Sequence, residues 1–161
     1  MDENQRLATY LSDHLAGSSA AIRLVQRYAE RGSGSPLGTL MGELLDEIRA
    51  DRHELERVMN AVGAKPSTLK QAGAIGAEMF SNLRNKVPVV GTGSEEVARL
   101  EDLEILSLGI EGKRLLWRVL ETLSNPALAG FDFPALAERA QGQRDRLEVR
   151  RSEAAAEAFA I

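Results

Sequence analysis

Residues 31–36, Arg-Gly-Ser-Gly-Ser-Pro (RGSGSP), separate two long stretches in which apolar residues recur every three or four positions. Glycine permits the left-handed backbone that ends many helices, so a first helix is expected to end here. Ser35 is a favoured helix cap, and Pro36 suits the first position of a helix, where a missing N–H costs nothing. The shortness of the connection predicts an antiparallel helical hairpin.

The two stretches beside this loop have the periodicity of amphipathic helices. The first, at about 4–30, places His14 on a seam of mainly apolar residues, and the second, at about 36–62, places Asp51 on another. Antiparallel helices bring residues that are equidistant from their turn to the same height, at ~1.5 Å per residue. His14 and Asp51 are therefore expected at one level of the structure.

The rest of the sequence predicts two more helices, at about 95–124 and 133–159, after a crossover at 64–93. The crossover is long enough to run the height of a bundle, and it includes a weakly periodic stretch that predicts a short helix. A single-crossover topology is favoured over an up-down-up-down meander, although a meander with a folded loop also fits. The expected fold is an all-α, antiparallel four-helix bundle that forms one domain over 1–161.

The third predicted helix is apolar on nearly every side from Leu103 to Leu120. One buried face cannot account for this pattern, so either the crossover or a second subunit is expected to cover the far side. The small residues Ser107, Gly109 and Gly112 would let another backbone approach closely. This pattern predicts a homodimer with the third helix or the crossover near its interface.

Charged residues also fall at core-seam positions or within the apolar third helix. Counting outward from the second short loop pairs Glu111 with Arg144 and Glu104 with Arg151, and each pair joins opposite charges. Buried or half-buried ion pairs of this kind fix helix register more than they add stability. The predicted network consists of His14, Asp51, Glu104, Glu111, Arg144 and Arg151.

Two helical hairpins joined by a long crossover, with acids near mid-helix, resemble the ferritin-like bundle family. The di-iron site of that family takes Glu from two helices and Glu-x-x-His from each of the other two. No Glu-x-x-His occurs in this chain, and Glu148-x-x-Arg151 would place a positive charge where the metal lies. The resemblance implies a degenerate metal-binding or redox protein, with Fe or Mn held by residues from the set His14, Glu47, Asp51, Glu104 and Glu111.

Composition excludes several classes of function. The formal net charge of -4 argues against a nucleic-acid binder. No window approaches ~18 uninterrupted apolar residues, so no membrane association is expected. The N-terminal residues lack the basic start and apolar stretch of a signal peptide, which makes the cytoplasm the expected location. Without cysteine, thiolate metal sites and cysteine nucleophiles are excluded.

The pattern of reactive residues predicts no catalytic site. Neither histidine lies near a Gly-x-Ser-x-Gly turn, and no such turn is present. The sequence therefore predicts a non-enzymatic bundle without a cofactor, which acts through self-association or contacts with an unknown protein partner. The alternative is the degenerate metal binder, and a third possibility, suggested by many small residues, is an apolar ligand between the helices.

Overall fold

The computed structural model describes residues 2–64 and 94–160, which form four long helices. They are α1 (Glu3–Arg31), α2 (Pro36–Ala61), α3 (Glu95–Glu121) and α4 (Phe133–Phe159). A 3-10 turn at Pro126–Leu128 lies between α3 and α4. The predicted all-α bundle is confirmed, and the short helix predicted within the crossover lies outside the described residues. None of the four helices combines the length and apolar character needed to span a bilayer.

The helices begin and end where their terminal backbone groups find partners. Ser35 caps α2 by accepting a hydrogen bond of 3.0 Å from the backbone N–H of Gly38. The sequence predicts that α3 extends to about 124, but it ends at Glu121. The N–H groups of Thr122 and Leu123 donate to carbonyls three residues back instead of four, and this tighter turn ends the α-helix.

The helices are arranged as two antiparallel hairpins, α1 with α2 and α3 with α4. Across the bundle, α1 packs against α3 and α2 packs against α4, and ion pairs show that both of these contacts are antiparallel too. The parallel helices α2 and α3 therefore lie on one diagonal. The end of α2 and the start of α3 lie at opposite ends of the bundle, so the single-crossover topology is confirmed.

The interior contains two apolar clusters, one toward each end of the bundle. The first surrounds Trp117 and Phe133, whose rings stack with centroids 6.2 Å apart. The second surrounds Met41 and Leu103 near the loop between α1 and α2. Between the two clusters lies a layer of polar side chains centred on Asp51, and this layer positions the candidate site.

Candidate functional site

Asp51 is the most deeply buried charged residue among residues 2–64 and 94–160, with 2% of its surface exposed. It lies on the core seam of α2 between Ile48 and Leu55. Its carboxylate accepts hydrogen bonds from Lys113 on α3 and from Arg139 on α4, whose Nε lies 2.8 Å from Oδ1. One side chain of α2 is thus bound by cations from both helices of the other hairpin.

Gln143 completes this arrangement from α4, where it is fully buried. Its Oε1 accepts a hydrogen bond of 2.5 Å from Lys113, and its Nε2 donates bonds of 3.0 Å to both Asp51 and Glu47. Because both ends of the amide are used, its orientation is fixed by its partners. We call this group the polar layer; its members are Glu47, Asp51, Lys113, Arg139 and Gln143.

Burial and charge act in opposite directions on Lys113. Burial lowers the pKa of its ammonium group below the ordinary value of lysine, while the nearby Asp51 carboxylate raises it. Two of the three ammonium N–H groups have acceptors, in Asp51 and Gln143. Of the four charged residues in the layer, Asp51 and Lys113 therefore form a largely desolvated ion pair in the centre of the bundle.

A cavity of about 470 Å³ lies beside the polar layer, between α1, α2 and α3. Asp51 and Lys113 form part of its wall, and most of the remaining wall is apolar. Three glycines, Gly17, Gly109 and Gly112, line it at positions where an added Cβ would meet no atom of residues 2–64 and 94–160 within 4 Å. The cavity exists because small residues occupy the facing sides of α1 and α3.

The cavity wall includes further polar groups. Burial lowers the pKa of the half-buried His14 imidazole, and the neighbouring Asp13 opposes this effect. Arg52 is held in place by Leu15, Ser18 and Ser19 through bonds of 2.7 to 2.9 Å. The indole Nε1 of Trp117 is buried and has no hydrogen-bond acceptor among the described residues.

The structure contains both ion pairs that follow from counting along the antiparallel helices. Glu111 lies 2.8 Å from Arg144, and Glu104 lies 3.5 Å from Arg151. Bonds from Arg114 and then Arg144 lower the pKa of Glu111. These pairs are half-buried or exposed rather than buried, because the arginine stems lie along the bundle with their charged ends near solvent.

The six residues predicted as one network occupy three separate places. His14 and Asp51 line the same cavity, in line with their expected common height. The pairs Glu111 with Arg144 and Glu104 with Arg151 lie outside the polar layer. Only Asp51 of the six is buried.

The residues present do not fit the iron or manganese site that the ferritin-like resemblance implies. In the described parts of the chain, no group of three or more His, Asp or Glu side chains is arranged to hold a metal ion. Lys113 and Arg139 donate hydrogen bonds to the carboxylate of Asp51, and Arg146 donates to both oxygens of Glu47 at 2.7 Å. The predicted acids are matched with cations, which removes the excess negative charge that would attract a metal.

Sequence reasoning missed three members of the polar layer, Lys113, Arg139 and Gln143. Lys113 follows Ile110 at a spacing of three and precedes Trp117 at a spacing of four, which places it on the buried seam of α3. Gln143 has the same spacings after Ala140 and before Leu147. These spacings from buried residues predict that Lys113 and Gln143 are buried. Arg139 lies beside the buried seam of α4, so its position in the sequence does not predict its contact with Asp51.

The outer face of α3 carries a row of exposed apolar side chains. Leu108 is 65% exposed, Leu115 is 49% exposed and Val119 is 42% exposed. We call Leu108, Gly112, Leu115 and Val119 the α3 stripe, since spacings of three and four place them on one side of the helix. The stripe borders the mouth of the cavity, because Leu108 and Gly112 belong to both.

Comparison of the chain with protein-family models, with curated proteins and with solved structures finds no match. The polar layer, the cavity and the α3 stripe are therefore the features from which a function can be inferred.

Proposed function

We propose that this protein is a cytoplasmic, non-enzymatic helical bundle that acts through self-association, as a homodimer formed by the α3 stripe. The observation that supports it is the exposure of Leu108, Leu115 and Val119 on one side of a single helix. Fully burying a side chain of this size contributes about 1.5–3 kcal/mol. Exposed apolar residues scattered singly are ordinary on a monomer, whereas a contiguous row is typical of an interaction surface.

The spacing of the stripe favours a second copy of the same chain as its partner. Leu108 and Leu115 lie on either side of Gly112 at distances of four and three residues. A two-fold axis at Gly112 would place Leu108 of one copy against Leu115 of the other, with the two helices antiparallel. A contact of this kind uses the same surface on both subunits, as closed dimers require.

Gly112 itself suits the crossing point of such a dimer. An added Cβ there would meet no atom of the described chain within 4 Å, so the backbone of α3 is open to approach from outside. Helices whose contact residue is glycine can pack with their backbones close together. The large side chains on either side would then fill the space beside the crossing.

Charges beside the stripe also complement each other under this symmetry. Glu104 precedes the centre of the stripe and is 49% exposed, while Arg118 follows it and is 54% exposed. Antiparallel pairing of two α3 helices would bring Glu104 of each copy toward Arg118 of the other. Such pairs at the rim of an interface fix orientation more than they add affinity.

Sedimentation velocity of the full chain at micromolar concentration tests the proposal. The wild type is expected to sediment as a dimer, and Leu115→Glu is expected to sediment as a monomer, because it would bury a carboxylate at the interface. Val149→Glu is the matched control, since Val149 is 51% exposed but lies on α4. A wild-type monomer would refute self-association and leave the stripe to a different protein partner.

A charge exchange tests the antiparallel geometry separately. Arg118→Glu should weaken the dimer, because each copy then faces like charges at the rim. Adding Glu104→Arg to the same chain should restore association, since the exchanged charges again oppose each other. Failure of the double variant to recover would contradict the proposed axis at Gly112 without bearing on whether a dimer forms.

A further inference from the structure

We propose that the cavity between α1, α2 and α3 binds a small, neutral, predominantly apolar molecule. The cavity shares Leu108 and Gly112 with the α3 stripe at its mouth, while its deeper wall is formed by α1 and α2 and by the inner side of α3. The proposal does not depend on dimer formation, because these walls belong to one chain.

The size of the cavity points to a ligand site. A volume of about 470 Å³ lies within the range of roughly 300–1,000 Å³ for small-molecule pockets. At Gly17, Gly109 and Gly112, no atom of the described residues lies within 4 Å of the place where an alanine would put its methyl group.

The chemistry of the wall indicates a largely apolar ligand. Ile48, Leu55, Leu106, Ile110 and Leu116 provide side chains from α2 and α3, and all five are buried. These five form the base of the cavity, and the partly exposed Ala21, Ile105 and Leu108 line it toward solvent, so an apolar molecule in the cavity would meet mainly hydrocarbon. The favourable free energy would come mainly from the transfer of that molecule out of water.

Trp117 closes the base of the cavity, where its ring is 0% exposed. Its Nε1 is buried without an acceptor among the described residues and is not open to a molecule in the cavity, so it places no requirement on the ligand.

The charges beside the cavity favour a neutral ligand. Asp51 and Lys113 are already paired with each other and are not available to a charged ligand, while Asp13 lies at the exposed edge of the cavity, where solvent screens its charge. A ligand carboxylate would face Asp51, and a ligand ammonium would face Lys113. Arg52 is engaged by Glu56 at 3.1 Å in addition to its bonds to α1. Desolvating a charged ligand would therefore bring no matching gain.

The unique tryptophan provides a direct measurement. Trp117 is the only tryptophan in the chain and lies on the cavity wall, so its fluorescence can report occupancy without a label. The probe is N-phenyl-1-naphthylamine, an uncharged aromatic amine that accepts energy from tryptophan. We expect saturable energy transfer with one probe bound per chain. Absence of saturable transfer would overturn the proposal.

Competition separates ligand classes of similar length. The uncharged 1-decanol is expected to displace the probe, whereas decanoate and decyltrimethylammonium should need at least about tenfold higher concentrations, a difference of about 1.4 kcal/mol. Equal displacement by all three would overturn the requirement for a neutral ligand.

Substitution of glycines locates the site. Gly17→Leu places a side chain into the cavity from α1 and is expected to weaken probe binding by at least about tenfold. Gly142→Leu is the matched control, because Gly142 lies in α4, has open space at its Cβ and does not line the cavity. Both changes replace a helical glycine with a better helix former, so folding should be retained.

A second variant keeps the test decisive if Gly17→Leu fails to fold. Ala21→Leu also enlarges a side chain on the cavity wall from α1 and is expected to reduce probe binding in the same way. Circular dichroism would establish that each variant is helical before binding is measured. Unchanged probe binding in a folded variant of either kind would overturn the assignment of the site, and neither substitution touches the α3 stripe.

Discussion

Lys113 on α3 reaches across the interior of the bundle to donate a hydrogen bond to Asp51 on α2, its diagonal neighbour. Arg139 binds the same carboxylate from α4, so one acid connects three of the four helices. Lys113 is largely buried, whereas Arg139 is 38% exposed and can reach solvent. The two cations are therefore expected to depend on Asp51 to different degrees.

The first prediction concerns loss of the Asp51 charge. Asp51→Asn keeps the shape of the side chain but leaves the buried ammonium of Lys113 without a carboxylate, which should lower the free energy of unfolding by about 3–5 kcal/mol. Lys113→Met should cost less, because Asp51 keeps Arg139 and Gln143 as donors. Urea unfolding followed by circular dichroism measures both changes.

The control for this prediction is Asp46→Asn, which removes an exposed carboxylate from the same helix. It should change the free energy of unfolding by no more than about 0.5 kcal/mol. Equal losses in Asp46→Asn and Asp51→Asn would show that the Asp51 contacts contribute no more to stability than a surface charge does.

The second prediction concerns pH and His14. Burial lowers the pKa of this imidazole in the folded state. As the pH falls below about 6.5, the unfolded chain binds a proton at this position before the folded protein does. The unfolded state then holds more protons, so this histidine should make stability fall as the pH decreases from about 6.5 toward the folded pKa.

Unfolding in urea between about pH 7.5 and pH 5.5 tests this sign, because histidine is the side chain that ordinarily titrates there. His14→Gln should show a smaller loss of stability across that range than the wild type. His53→Gln is the matched control, since it removes the other histidine of the chain, which lies on the surface of α2, and should keep the His14 contribution. A steeper loss in His14→Gln would contradict the predicted direction.

The third prediction concerns two glycines in α2. A Cβ added to Gly38 would lie 1.9 Å from the carbonyl oxygen of Gly32, so α2 and the preceding loop approach too closely for any other residue. Gly38→Ala should therefore lower the free energy of unfolding by about 1–3 kcal/mol or more, as overpacked cores do. Thermal unfolding would show the loss.

Gly42 provides the matched comparison one turn further along the same helix. An added Cβ there meets no atom within 4 Å in the part of the chain that the structure describes. Gly42→Ala should raise the free energy of unfolding by up to about 1 kcal/mol, because alanine has the higher helix propensity. Similar effects of the two substitutions would show that the contact with Gly32 does not constrain the turn.

Periodicity was sufficient to predict the four helices and the crossover topology. The glycines and proline at 31–36 predict the loop, because they favour particular backbone conformations. The spacing of apolar residues predicts the helices and their buried faces. Counting residues outward from the short loop also predicted the ion pair between Glu111 and Arg144, because both antiparallel helices have the same rise per residue. The helices, the topology and this ion pair could be predicted because each depends on residues that are close in sequence or equidistant from a short loop.

The polar layer and the cavity were harder to predict because they depend on helix rotation and on contacts across the bundle. On α4, the buried polar residue is Gln143 rather than its neighbour Arg144, a rotation of one residue. The link from Lys113 to Asp51 joins diagonal helices, whose relative height no short loop fixes. The cavity follows from glycines on different helices facing each other, which their separate positions in the sequence do not reveal.

The polar layer also determines which misalignments of the hairpins are unfavourable. Asp51 is followed on its seam by Leu55, so sliding α2 past α3 by one turn, about 5.4 Å, in the direction that brings Leu55 to the level of Lys113 would set the ammonium against a hydrocarbon side chain. Leucine can replace leucine in a shifted register at little energetic cost, but a desolvated ammonium cannot exchange a carboxylate for a methyl group. The Asp51 layer thus disfavours this shift, which hydrocarbon packing alone would permit.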